Sequence, residues 1–140
     1  MDLGLSGRTA LITGASKGIG YAAAASLARE GCNVHIASRS EDALADAAKQ
    51  IREEFGVTAE YHVVDLSDGD TARALVETCK DVDILVNNAG AIPGGDIHDV
   101  DESTWRTAWD LKVFGYQNMC RAMLAVMRGR QAGVIVNVIG

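Results

Sequence analysis

Short aliphatic runs and longer amphipathic stretches alternate along this chain. The longer stretches carry apolar residues at helical spacing, whereas the short runs are near-continuous in aliphatic or β-branched residues, as in strands buried on both faces. These runs cover residues 9–13, 34–37, 59–64, 84–86 and 134–138. The alternation predicts an α/β fold, a doubly wound parallel sheet with helices on both faces.

The amphipathic stretches predict four helices and part of the core. Ser40 and Ser67 precede acidic first turns as predicted N-caps, and Gly31 should end the first helix. A long fourth helix should begin near Asp101 and run towards Arg130. The predicted core positions are Leu44, Ala48, Ile51 and Phe55 in the second helix and Ala72, Leu75, Val76 and Cys79 in the third.

Composition narrows the class of protein without changing this fold prediction. Residues 1–140 form one domain, 48% hydrophobic and 23% charged, with no repeat or linker. The net charge of −6 argues against a general nucleic-acid binder, and no apolar stretch is long enough to cross a membrane. Three cysteines without a Cys-x-x-Cys spacing favour a reduced, cytoplasmic protein in which all three thiols are buried and structural.

A glycine-rich turn follows the first predicted strand and opens the first helix. Gly14 permits the tight reversal, and Gly18 and Gly20 keep side chains away from a pyrophosphate and the facing strand. The amides and the positive end of the helix dipole would then bind phosphates. The turn reads Thr13-Gly14-Ala15-Ser16-Lys17-Gly18-Ile19-Gly20.

This octapeptide resembles the cofactor loop of the short-chain dehydrogenase/reductase family. Three further stretches match that family in order and spacing: Asp65-Leu66, the strand at 83–86 with Asn87-Asn88-Ala89-Gly90, and residues 133–138. The resemblance implies a Rossmann fold with strand order 3-2-1-4-5 and a nicotinamide dinucleotide across the switch point between strands one and four. It places Asp65 and Leu66 beside the adenine.

The Asn-Asn-Ala-Gly stretch has a separate implied role. In the family, residues matching Asn88, Ala89 and Gly90 line the nicotinamide side of the cofactor pocket. Asn87 could line the pocket or could simply anchor the sheet, because paired asparagines often satisfy backbone groups at turns.

The second strand ends on residues that favour NADP(H) over NAD(H). NAD-binding members of the family usually place a carboxylate there, which would repel a 2′-phosphate, but this chain has Ser38 followed by Arg39. A hydroxyl and a guanidinium would bind that phosphate, and Lys17 could add a second cation. The predicted cofactor is therefore NADP(H).

The acid/base residues that the resemblance implies are missing from this chain. Family members use a Tyr with a Lys four residues later, because an unperturbed phenol with a pKa of about 10 is a poor base at neutral pH. Positions four residues after Tyr21, Tyr61 and Tyr116 hold Ala25, Asp65 and Cys120. No catalytic residue is therefore predicted here.

Two further positions depart from the family's pattern. Counting from Trp105 and Gly115, the helix Asn of the family falls on Lys112, which could hold water or bias a nearby pKa. The family's Ser falls on Ile139 or Gly140, neither of which has a hydroxyl. A parallel sheet of this class needs another helix and strand, so we expect a longer natural protein.

The favoured function is NADP(H)-dependent oxidoreduction of a small carbonyl or alcohol. A noncatalytic NADP(H)-binding sensor or partner module and an adenosyl-cofactor methyltransferase are the alternatives. We expect a small-molecule substrate and a homo-oligomer formed through the long helix near 103–130. No metal site is predicted, because His35 and His62 fit strand packing and the acidic cluster at 96–102 lacks ligand spacing.

Overall fold

A computed structural model describes residues 1–90 and 92–139 of the chain, and each predicted strand and helix is present. The strands are β1 (Thr9–Thr13), β2 (Asn33–Ser38), β3 (Ala59–Val63), β4 (Ile84–Asn87) and β5 (Val134–Asn137). The helices are α1 (Gly18–Arg29), α2 (Glu41–Phe55), α3 (Gly69–Thr78), α4 (Glu102–Trp109) and α5 (Tyr116–Arg130), and a π-helical segment (Asp110–Gly115) joins the last two.

The five strands form one parallel sheet in the order β3-β2-β1-β4-β5, which confirms the predicted fold class and strand order. The chain returns from the β3 edge to pair β4 against β1, so the direction of winding reverses between these two strands. Such a reversal opens a crevice at the carboxyl ends of the strands, where ligands bind in folds of this type.

Each face of the sheet has its own hydrophobic cluster. On one face α1 and α2 cover Ile12, Val34 and Ile36, and on the other α3 and α5 cover Leu11 and Leu85. The predicted helix faces are confirmed: Leu44, Ala48, Ile51, Ala72, Leu75, Val76 and Cys79 are buried, and Phe55 is partly buried.

One of the two predicted serine N-caps differs from the structure. The α3 helix begins at Gly69, and its N-cap is Asp68, whose carboxylate accepts a hydrogen bond from the Thr71 amide at 3.0 Å. The Ser67 prediction is therefore wrong, because that hydroxyl donates to Asp65 instead. Ser40 does precede α2, but its side chain makes no capping bond.

The long helix runs from Glu102 to Arg130, as the sequence predicted, but it is not α-helical throughout. The π-helical segment at its centre passes close to the sheet, and a Cβ on Gly115 would lie 2.8 Å from the carbonyl oxygen of Leu66. No helix among the described residues is long and apolar enough to span a bilayer.

Candidate cofactor-binding site

The glycine-rich turn leaves β1 and enters α1 at the crevice. The Gly14 amide donates to the carbonyl of Ala37 in β2 at 2.7 Å, and this bond holds the turn against the second strand. Gly14 and Gly18 adopt positive φ angles of 63° and 60°, a conformation that glycine adopts at low cost. The turn therefore needs glycine at both positions for its backbone alone.

The three glycines of the motif face different surroundings. A Cβ on Gly14 would lie 2.8 Å from the Cα of Ala89, and a Cβ on Gly20 would overlap the carbonyl oxygen of Gly14. A Cβ on Gly18 would have no neighbour within 4 Å. The space at Gly14 and Gly20 is therefore filled by this chain, whereas Gly18 borders open space.

Three hydrogen bonds join the glycine-rich turn to the end of β4. The buried hydroxyl oxygen of Thr13 accepts bonds from the amides of Asn88 and Ala89, both at 3.0 Å. The side chain of Asn88 donates from Nδ2 to the carbonyl of Gly14 at 3.1 Å. These three bonds hold the two sides of the crevice together. Contact of Asn88 with a cofactor stays a prediction.

A cleft of about 190 Å³ lies between the turn, the end of β2 and the end of β4. It brings together eight of the predicted site residues: Gly14, Ser16, Lys17, Ser38, Arg39, Leu66, Ala89 and Gly90. The predicted residues outside its lining are Ala15, Gly18, Ile19, Gly20, Asp65 and Asn88. Ala15 is fully buried, so only its backbone could contact a cofactor. Ile19 is 69% exposed, and its contact with a cofactor stays a prediction.

Two exposed cations are part of the cleft's lining. Lys17 and Arg39 both line it, and within residues 1–90 and 92–139 neither forms an ion pair with a carboxylate. Asp65, the carboxylate that the resemblance places beside the adenine, accepts hydrogen bonds from the Ser67 amide and hydroxyl at 3.0 and 2.6 Å. These bonds, with a smaller contribution from Arg39, lower the pKa of Asp65, so it is ionised at neutral pH.

Lys112 lies where the long helix meets the end of β5. Its Nζ donates to the carbonyl of Val138 at 2.7 Å and to the hydroxyl of Tyr116 at 2.8 Å, and the Tyr116 hydroxyl donates to the same carbonyl at 2.8 Å. The lysine stem covers Gly90, whose added Cβ would lie 2.6 Å from Cδ of Lys112. The Tyr-x-x-x-Lys spacing does not indicate this pair, because Lys112 precedes Tyr116 by one helical turn.

A second cleft of about 570 Å³ adjoins Lys112 and Tyr116. Its other walls come from the loop before α4, from the first half of the long helix, and from Ile139. Most of the lining is apolar, including Trp105, Trp109 and Val113, and the Lys112 ammonium is a polar group at one side. Such a site suits a small, partly apolar molecule with one polar group.

Asn87 anchors the sheet, which was one of its two predicted roles. Its buried side chain donates from Nδ2 to the side-chain Oδ1 of its β5 partner Asn137 at 2.9 Å. It also lies 3.2 Å from the sulfur of Cys120, a partly exposed thiol, so the prediction that all three cysteines are buried is wrong for this one. Ile139 is 82% exposed, and Gly140, the other candidate for the family's Ser, lies outside the described residues.

Comparison with known proteins agrees with this architecture. The sequence model described as short chain dehydrogenase matches residues 8–140. A ketoacyl reductase assigned to the monensin polyketide synthase of Streptomyces virginiae is 38% identical over 137 residues, which are 94% of this chain and 52% of the relative. The 3-oxoacyl-(acyl-carrier-protein) reductase FabG of Chlamydia muridarum is 30% identical over 135 residues, 94% of this chain and 54% of the relative.

A solved structure is similar over almost all of this chain. The L-sorbose reductase of Gluconobacter frateurii, complexed with NADPH and L-sorbose, superposes with a TM-score of 0.90 at 36% identity. The match covers 98% of this chain and 54% of the reductase. The chain therefore spans about half the length of the relatives and the structure that it matches.

Proposed function

This chain belongs to the short chain dehydrogenase family, and from that membership we propose that it binds NADP(H) for oxidoreduction of a small carbonyl or alcohol. The observation that carries the proposal is the lining of the first cleft, which includes Lys17, Ser38 and Arg39, whereas β2 ends at Ser38 and not at an acid. There a 2′-phosphate would accept a hydrogen bond from a hydroxyl and pair with two cations, whereas a carboxylate would repel it.

The N-terminus of α1 fits the pyrophosphate of such a cofactor. It has no side-chain cap and no acidic residue in its first turn, so its free amides and the positive end of its dipole can bind an anion. By contrast, α2, α3 and α4 each have an acidic first turn. The open space beside Gly18 leaves room for phosphate oxygens, because no side chain of this chain approaches within 4 Å of an added Cβ.

The second cleft is the proposed substrate site. The bound nicotinamide would supply or accept a hydride, and the residues of this chain would orient the substrate and exclude water from it. The apolar walls from Trp105 and Trp109 favour a carbon chain, and the Lys112 ammonium favours an oxygen. Two relatives are named a ketoacyl reductase and a 3-oxoacyl-(acyl-carrier-protein) reductase, and the keto group in both names supports a ketone as the substrate class.

The acid/base group is not assigned within this chain. The Tyr-x-x-x-Lys pattern is missing from residues 1–140, and the hydroxyl of Tyr116 already donates to Val138. Turnover is therefore proposed for the whole protein, whereas cofactor binding is proposed for these residues.

Calorimetric titration of the purified protein with NADPH, NADH and S-adenosylmethionine tests the proposal. NADPH should bind more tightly than NADH, since one charge-assisted contact is worth about 1.5–3 kcal/mol. S-adenosylmethionine should not bind. Equal affinities for NADPH and NADH would contradict the proposal that Ser38 and Arg39 bind the 2′-phosphate.

A noncatalytic NADP(H)-binding module is the second candidate. It is favoured by Lys112, which occupies the position of the family's helix Asn, and by the exposed Ile139, which lacks a hydroxyl. Steady-state assays of the whole protein with NADPH and small ketones separate the two. Tight NADPH binding without oxidation of NADPH would support the module and contradict the enzyme.

A further inference from the structure

Two imidazoles and a thiol meet on the sheet face that α3 covers. His35 lies in β2, His62 lies in β3, and Cys79 follows the last residue of α3. The surrounding cluster on this face is otherwise apolar, and the proposed cofactor and substrate clefts do not include these three residues.

The donor atoms of the three side chains converge on one point. The Nδ1 of His35 lies 2.9 Å from the Nε2 of His62, which lies 3.6 Å from the sulfur of Cys79. All three donor atoms are within 4.8 Å of one another. In a tetrahedral zinc site, with bonds of about 2.0 Å to nitrogen and 2.3 Å to sulfur, two nitrogens are about 3.3 Å apart and nitrogen and sulfur about 3.6 Å apart.

We propose that His35, His62 and Cys79 form a zinc-binding site that joins β2, β3 and the end of α3. To match tetrahedral zinc, the two nitrogens have to separate by about 0.4 Å, and the His35 nitrogen and the Cys79 sulfur, which lie within 4.8 Å of each other, have to be about 3.6 Å apart. One sulfur and two imidazole nitrogens make a donor set that suits Zn²⁺ and disfavours Mg²⁺ or Ca²⁺, which prefer oxygen.

Glu60 supplies a fourth ligand. It is the register partner of His35 across the β2–β3 pair, and its Oε2 lies 3.7 Å from the Nδ1 of that histidine. The Glu60 side chain is 61% exposed, so its carboxylate can turn towards a metal without unfolding the strand. Four protein ligands close the site, which indicates a structural rather than a catalytic metal.

The protonation states of the cluster are compatible with metal binding. Burial lowers the pKa of both histidines, so the imidazoles are neutral at pH 7 and each can present an unprotonated nitrogen. Burial raises the pKa of Cys79 to about 11, so the free thiol keeps its proton. Zinc displaces that proton to the buffer as the zinc–sulfur bond forms, and no oxidation or reduction takes place.

Titration of the purified, chelator-treated protein with ZnCl₂ and with CoCl₂ tests the site. We expect one metal ion per chain, and with Co²⁺ a near-ultraviolet thiolate-to-metal charge-transfer band together with the visible bands of tetrahedral cobalt. Cys79→Ser should remove the charge-transfer band, and His62→Gln should weaken zinc binding by more than about tenfold, the lower end of what losing even an outer partner costs a metal site. Cys120→Ser is the control, because this partly exposed thiol lies outside the cluster.

Zinc binding by the wild-type protein tests the site even if a variant fails to fold. Failure of the wild-type protein to bind Zn²⁺, or an unchanged cobalt spectrum in folded Cys79→Ser, would overturn the site and leave a histidine pair that only packs beside a thiol. Circular dichroism and NADPH titration of each variant show whether it is folded. The metal site does not depend on the proposed cofactor function, so either can fail alone.

Discussion

At the scale of single residues, Thr13 does most to hold the crevice together. Its hydroxyl oxygen accepts bonds from two consecutive backbone amides at the end of β4, and its side chain is buried. Buried amides without a partner are costly, so this one oxygen fixes the geometry of Asn88 and Ala89 relative to the glycine-rich turn. The sequence shows Thr13 beside the glycines but does not show which amides it binds.

Thr13→Val keeps the shape of the side chain and removes the acceptor. We expect a loss of about 1–3 kcal/mol in the free energy of unfolding, because two amides lose their partner. Urea denaturation measures it. Thr13→Ser restores an oxygen and should recover most of the stability, whereas equal losses in the two variants would mean that the missing hydroxyl does not matter.

Gly18 and Gly20 should respond differently to alanine. Gly20→Ala places a Cβ against the carbonyl oxygen of Gly14, so we expect a lower melting temperature and loss of NADPH binding. Gly18→Ala meets no neighbouring atom, and its backbone strain of about 1–2 kcal/mol should leave a folded protein. Thermal melts and calorimetry test both, and a Gly20→Ala protein with wild-type stability would contradict the close approach.

At the scale of elements, the long helix positions Lys112 through its π-helical segment. That segment (Asp110–Gly115) lies between two α-helical halves and directs Lys112 to the end of β5. π-Helical insertions frequently occur at functional sites. We therefore propose that the Lys112 ammonium is a positioning group, which orients Tyr116 and the β5 end beside the second cleft.

Lys112→Met retains an unbranched stem and removes the ammonium. If Lys112 positions the substrate side, kcat with a ketone should fall by about 100-fold, the cost that a misplacement of about 1 Å can have, while the Kd for NADPH stays unchanged. Lys49→Met, at a 67% exposed lysine of α2, is the control. Full turnover by Lys112→Met would show that the ammonium is only structural.

The sequence predicted the elements more completely than their contacts. Apolar periodicity located the strands and helices, because burial imposes the period of 2 or 3.6 that the pattern contains. It could not separate Asp68 from Ser67 as a cap, since both are capping residues next to a helix start, and it gave no sign of the π-helical segment. The approach of His35 to His62, 27 residues apart, depends on the β2–β3 register, which no local pattern specifies.

At the scale of the whole molecule, the surface carries more apolar side chains near β5 and the long helix than elsewhere. Val134 and Val136 are 54% and 45% exposed, although a parallel strand normally has both faces covered. Trp109 and Phe114 are 59% and 50% exposed, whereas Tyr116 and Met119 of the same long helix are buried. We propose that the helix face with Trp109 and Phe114 contacts a second copy of the protein.

Trp109→Glu tests that contact. A charge at the centre of the apolar face should shift the purified protein to a smaller species, because a buried unpaired carboxylate disfavours association. Sedimentation velocity measures the shift. Lys49→Glu on α2 is the matched control, and an unchanged distribution in Trp109→Glu would exclude this face as the contact.

The most direct test of the central claim is the ratio of NADPH to NADH affinity in Arg39→Ala. Losing one charge-assisted contact should weaken NADPH binding by about tenfold or more and leave NADH binding nearly unchanged, because only NADPH has the 2′-phosphate. Arg121→Ala, at an exposed arginine of α5, should leave both affinities unchanged. Equal losses for NADPH and NADH in Arg39→Ala would contradict the account.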